Sequence, residues 1–197
     1  MAAFGLSGVL GCWFLMGTVL KRQFDKAFLS TAFIVATPFL FLLLVIDDPV
    51  IILRTGLFCC LMFYIGYYDF KTKTIPRLVH PLILLVGCIG ISGEWFVKQA
   101  IPGALTLGIL MAVSSWLIKQ ITRQDQAIGL GDVKLVTVCG FYLGWDAGVT
   151  GLMIGLLLSI LWCRARHMKR NEVFAFAPFL CSGFMIAVML LERMVYL

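Results

Sequence analysis

The chain has 197 residues, 61% of them hydrophobic and 13% charged, with a mean hydropathy of +1.01 and a formal net charge of +6. A water-soluble domain of this length has too little interior to hide so much apolar side chain, which excludes soluble enzymes and soluble binding modules. The composition predicts an all-α polytopic membrane protein, formed as a single integral-membrane domain over residues 1–197.

A transmembrane helix needs roughly 17–25 apolar residues to cross a hydrocarbon core of about 30 Å. Eight spans are predicted in chain order: 4–20, 27–46, 49–68, 79–97, 100–118, 131–145, 147–163 and 173–191. The opening Met-Ala-Ala-Phe carries no Lys or Arg, so the first segment is expected to be retained as a span. With the N-terminus outside, only Arg54, Lys98 and Arg193 of the 16 Lys and Arg fall on the outer side, while the acidic residues divide evenly. One helix over 131–163 would push the cluster from Arg164 to Arg170 outside, so a break is expected at Trp145-Asp146-Ala147-Gly148. The positive charge then follows from topology and attraction to the lipid bilayer, and no nucleic-acid partner is expected.

The loop after the third span reads Tyr67-Tyr68-Asp69-Phe70-Lys71-Thr72-Lys73-Thr74-Ile75-Pro76-Arg77. The tyrosines suit the membrane interface, and Pro76 turns the chain. Alone, Asp69 fits a solvated helix end. The next long polar stretch, Lys119 to Lys134, ends in Gly129-Leu130-Gly131-Asp132-Val133-Lys134. Its glycines let backbone approach closely, and the positive end of the following helix favours a carboxylate at Asp132. Alone, that is equally a glycine turn with an acidic cap.

Together the two aspartates say more. An unpaired carboxylate in hydrocarbon costs several kcal/mol, and both of these lie at the inner ends of separate spans. Carboxylates at close range cannot both ionise, so such a pair shares a proton and titrates as a unit. One then takes a proton from an attacking water while the other donates to the developing oxyanion, which is aspartic protease chemistry. His80 and His167 have no metal-ligand spacing, and no Ser or Cys has an evident base. No metal and no cofactor are expected. The seven cysteines form no C-x-x-C pair and read as buried structural thiols. Gly140, Gly144 and Gly148, then Gly151 and Gly155, suggest close helix packing between the sixth and seventh spans. Lys134 does not face Asp132 and reads as an interfacial anchor.

At these motifs the chain resembles the type IV prepilin peptidases, membrane aspartic proteases of the Gly-x-Gly-Asp class. Asp69 followed by Ile75-Pro76 is similar to the family's Asp, short polar stretch and Ile-Pro-Asn. Gly129 to Leu135 fits its Gly-x-Gly-Asp-x-Lys-Leu, and Phe176-Ala177-Pro178-Phe179-Leu180 is similar to its last-span Pro-Phe-Gly-Pro-Phe-Leu. The resemblance implies catalytic Asp69 and Asp132, with Pro76, Gly129, Gly131, Lys134 and Pro178 as the supporting motif. Arg77 replaces the family's Asn and Ala177 its Gly; neither is expected to touch the carboxylates.

The resemblance implies prepilin or pseudopilin substrates, cut after a short basic leader at the cytoplasmic face of the inner membrane. It leaves open a pilus, a secretion or a conjugation system, and the oligomeric state. Bifunctional members carry two C-x-x-C pairs after the first span and methylate the new N-terminus. Here that loop is only Lys21-Arg22-Gln23-Phe24-Asp25-Lys26, so a peptidase without methyltransferase activity is expected. Two alternatives remain. Presenilin-type proteases also combine Tyr-Asp with Gly-Leu-Gly-Asp, but hold them deep in spans and carry Pro-Ala-Leu. A transporter or scaffold would tolerate Asn at either position, and should show internal repeats.

Overall fold

The computed structural model describes residues 48–122, 129–167 and 175–195, and all regular structure among them is helical. The predicted spans 4–20 and 27–46 and the Lys21–Lys26 loop lie outside the described residues. The first described helix, α1 (Pro49–Thr72), starts where Asp48 accepts a hydrogen bond from Val50 N at 2.9 Å, with Pro49 just inside. It stops where Lys73 turns left-handed (φ 54, ψ 32) and its N–H bonds the Asp69 carbonyl. At about 1.5 Å per residue, this helix is long enough to cross the bilayer.

The fourth and fifth predicted spans divide differently from the expectation. Helix α2 (Val79–Gly87) has nine residues, about 14 Å at the helical rise, and does not cross alone. The chain then turns through Gly90 (φ 67), and the long helix α3 (Gly93–Ile121) begins. Ser92 caps it by accepting from Trp95 N at 3.2 Å, with Glu94 in the first turn. The boundary expected near 97–100 is therefore a correction: it lies at 88–92, where the cap residues are. What occupies 96–100 is a π-helical turn, closed by Ile101 N–H onto the Phe96 carbonyl. That wider turn admits Pro102, whose ring would otherwise strike the carbonyl four residues back.

Helix α4 (Leu130–Ala165) covers the sixth and seventh predicted spans and is broken at Gly144, at φ 80 and ψ 179. A Cβ on Gly148 would sit 3.5 Å from the Gly140 Cα. In a straight helix those two residues would be about 12 Å apart, so the chain doubles back on itself at the break. The reversal expected at Trp145–Gly148 lies one residue earlier, because glycine alone readily takes that conformation. Helix α5 (Ala177–Val195) closes the described fold.

Close approach at glycines holds the bundle together. A Cβ on Gly103 of α3 would collide with the Gly140 carbonyl, and one on Gly183 of α5 with the Gly151 carbonyl. The α4 glycines thus join its two halves, as expected, and also dock α3 and α5. Between α1 and the first half of α4, the contacts run like a zipper. Phe58 stacks on Tyr142 with centroids 3.9 Å apart, and Cys139 Sγ lies 3.8 Å from Met62 Sδ. Each step up α1 is a step down α4, so the helices are antiparallel. Continued by two turns, the zipper brings residue 69 opposite residue 132.

Candidate active site

Asp69 belongs to the buried stripe of α1. Thr55, Phe58, Met62, Ile65 and Asp69 follow one another at intervals of three or four, so one helical face carries all five inward. Asp69 as a whole is only 5% exposed. It sits in the last turn of its own helix, where the backbone dipole disfavours a negative charge. A second helix supplies what the first withholds: Asp69 Oδ2 accepts a hydrogen bond from Ala177 N, at the start of α5, at 3.2 Å. In that first turn Pro178 has no N–H, while Phe179 and Leu180 donate back to the Phe176 carbonyl at 3.1 and 3.4 Å. The Ala177 amide is the one pointed at the carboxylate.

Asp132 enters from the opposite direction, in the first turn of α4. Gly129 is the N-cap; its carbonyl accepts from Asp132 N at 3.0 Å and Val133 N at 3.3 Å. A Cβ on Gly129 would crowd Asp132 Oδ2 at 3.1 Å, so the absent side chain leaves room for the carboxylate. At Gly131 the neighbour is Ile75, which a Cβ would meet at an ordinary 3.5 Å. The two carboxylates interact electrostatically, and Cys181, one turn into α5, lies within the field of both. A buried acid, Asp69, and a half-buried one, Asp132, therefore lie within each other's electrostatic reach at one end of the bundle, each beside a helix N-terminus.

The remaining motif residues gather at the same end. Pro76, half-buried, follows Ile75 in the α1–α2 loop, and Pro178, half-buried, packs its Cα 3.4 Å from where a Gly66 Cβ would stand. Lys134 is exposed. Ala177 corrects an expectation, since its backbone amide does touch a carboxylate; the contact needs no side chain, which is why residue type gave no sign of it. His80, set aside in the sequence reading, has Nε2 3.4 Å from the Gly131 carbonyl and Nδ1 3.3 Å from the Arg77 carbonyl. Cys59, Cys139 and Cys181 are buried as expected, whereas Cys88 is exposed in the α2–α3 turn; Cys12 lies outside the described residues. Among the described residues no group of three His, Cys, Asp or Glu side chains clusters as a metal site would.

Residues 56–164, more than half of the chain, match the type IV leader peptidase family model. A prepilin leader peptidase/N-methyltransferase of Burkholderia pseudomallei strain 1026b is 30% identical over 135 residues, covering 64% of this chain and 42% of that protein. The proteins of that name from Dickeya chrysanthemi and Escherichia coli K12 are 28% and 27% identical, each covering 70% of this chain and 51% and 63% of their own length. The chain thus spans about half the length, or less, of the first of these relatives. No solved structure matches it.

Proposed function

The chain belongs to the type IV leader peptidase family, and from that premise we propose that it is a membrane aspartic endopeptidase that removes the short basic leader of prepilins or pseudopilins. The observation that carries this reading is that Asp69 and Asp132, from the ends of two apolar helices, come within electrostatic reach of each other at one end of the bundle. A solvated helix end would not bury its acid to 5% exposure, and an N-cap alone would not need a second acid beside it.

In the proposed reaction the pair holds one proton. The ionised carboxylate takes a proton from water as the water oxygen bonds to the scissile carbonyl carbon, and the protonated carboxylate donates to the carbonyl oxygen. Breakdown of the tetrahedral intermediate returns a proton to the leaving amine, breaks the C–N bond and restores the shared proton. The basic residues that flank the site, Lys71, Lys73, Arg77 and Lys134 among them, support placing it at the cytoplasmic face of the inner membrane. A substrate helix lying in the bilayer would then present its leader junction at the level of the pair.

The test is co-expression with a prepilin, a short Lys/Arg leader ending in Gly before an apolar helix, read as a leader-sized shift on a gel. Wild type should cleave, and Asp69→Asn and Asp132→Asn should not, with both variants inserted at normal abundance. Cleavage surviving in either variant would rule out the two-carboxylate mechanism.

A further inference from the structure

Within the turn that carries Asp132, backbone alone does the holding: the Gly129 carbonyl accepts from Asp132 N and Val133 N, and the Gly129 N–H donates to the Asp132 carboxylate. Gly129 and Gly131 flank it, both conformationally free, and no side chain caps the helix that follows. By contrast, α1 and α3 are capped by Asp48 and Ser92. A carboxylate in an acid–base pair has to be held within a fraction of an ångström of its working position. Two of the contacts that hold this turn come from elsewhere in the chain: the Ile75 side chain against Gly131, and the His80 ring on the Gly131 carbonyl across 51 residues. The ring's other nitrogen faces the Arg77 carbonyl, so the half-buried imidazole spans from the Ile-Pro loop to the Gly-x-Gly turn.

Resting on the peptidase reading above, we propose that His80 is a positioning residue: its Nε2–H donates to the Gly131 carbonyl and fixes the peptide that sets the direction of Asp132. A neutral imidazole donates through one ring nitrogen only. The tautomer with the proton on Nδ1 would bond Arg77 and release the turn, so the ring that holds the turn carries its proton on Nε2. The ring acts through the Gly131 peptide and has no part in the proton transfers.

Two amide side chains separate this from a general role in folding. Glutamine places its amide nitrogen near the position of Nε2, and asparagine near that of Nδ1. On the prepilin described above, His80→Ala and His80→Asn should lower kcat on the order of 10²-fold with KM within about 2-fold, while His80→Gln stays within about 5-fold of wild type. Amide hydrogen exchange over residues 129–135 should speed up in the Ala and Asn variants and not in Gln, with exchange elsewhere and the melting temperature unchanged. Unaltered protection over 129–135 in His80→Ala, or a loss that Gln fails to restore, would overturn the proposal. If wild type itself cleaves no leader, the peptidase reading has failed, and the exchange measurement alone still decides the role of His80.

Discussion

The zipper between α1 and the first half of α4 ends in charge on both sides, and the two ends handle it differently. At one end Arg54 donates to the Tyr142 carbonyl at 3.0 Å and lies between Tyr142 and Trp95, 4.7 and 5.3 Å from their ring centroids. The break at Gly144 ends the hydrogen-bond ladder of that half-helix, and a cation on one of its last carbonyls suits the negative end of the dipole. The cation thus has one carbonyl and two ring faces, while its Nε is buried without a hydrogen-bond partner. At the other end two acids meet, and Asp69 stands at the wrong end of its own helix. The amide that donates to it is borrowed from α5. A matched charge stabilises a fold, whereas two acids crowded together hold reactivity and contribute little to stability.

Substitutions at the acid end should therefore remove activity and leave stability alone. Asp69→Asn and Asp132→Asn should each lower kcat on the order of 10⁴-fold, and the double variant should be no slower than the worse single one, because the pair acts as a unit. Single-turnover cleavage in detergent measures this. Losses that multiply in the double variant would show two independent groups. Thermal midpoints should stay within a few degrees of wild type, since relief of crowding offsets the lost bond to Ala177.

The opposite pattern is expected at the cation end. Arg54→Met should cost about 1.5–3 kcal/mol, the worth of a hydrogen bond to a charged group, while the folded fraction cleaves at the wild-type rate. Gly144→Ala should cost about 1–3 kcal/mol, because alanine does not tolerate the backbone angles there. Both are read by thermal or denaturant unfolding alongside cleavage. A fall in kcat without loss of stability in either variant would mean the two ends are coupled, and would break the comparison.

How far this contrast was legible from sequence differs between the ends. The acids stood out only as a pair, because both lie at the inner ends of separate spans, where they can meet. The α1 stripe from Thr55 to Asp69 held a further sign, since its period already pointed Asp69 inward. The α5 amide was illegible because a backbone donor leaves no trace in residue type. In the sequence Arg54 counts only as an outer-side charge, since its partner carbonyl is open to it only because Gly144 breaks a helix 90 residues on. The boundary between α2 and α3 was misplaced because apolar residues on both sides of Ser92-Gly93-Glu94 merge over 79–97, and hydropathy does not see caps such as Ser92. The number of spans and the loop after the first rest on residues outside the described ones.

The smallest expected effect concerns water. Cys88 lies in the α2–α3 turn on the cation side, where Gly90 meets Val50, and Cys181 lies 2% exposed beside the acids. Variants keeping one of these cysteines each would be treated with a charged maleimide. Cys88 should react within minutes, and its adduct should cleave at the unmodified rate, because nothing at that end takes part in the reaction. Cys181 should react only after denaturation. If Cys181 reacted as fast as Cys88, the floor beneath the two aspartates would be open to solvent. The carboxylates would then be hydrated from two sides, and the low-dielectric surroundings that make them share a proton would be lost.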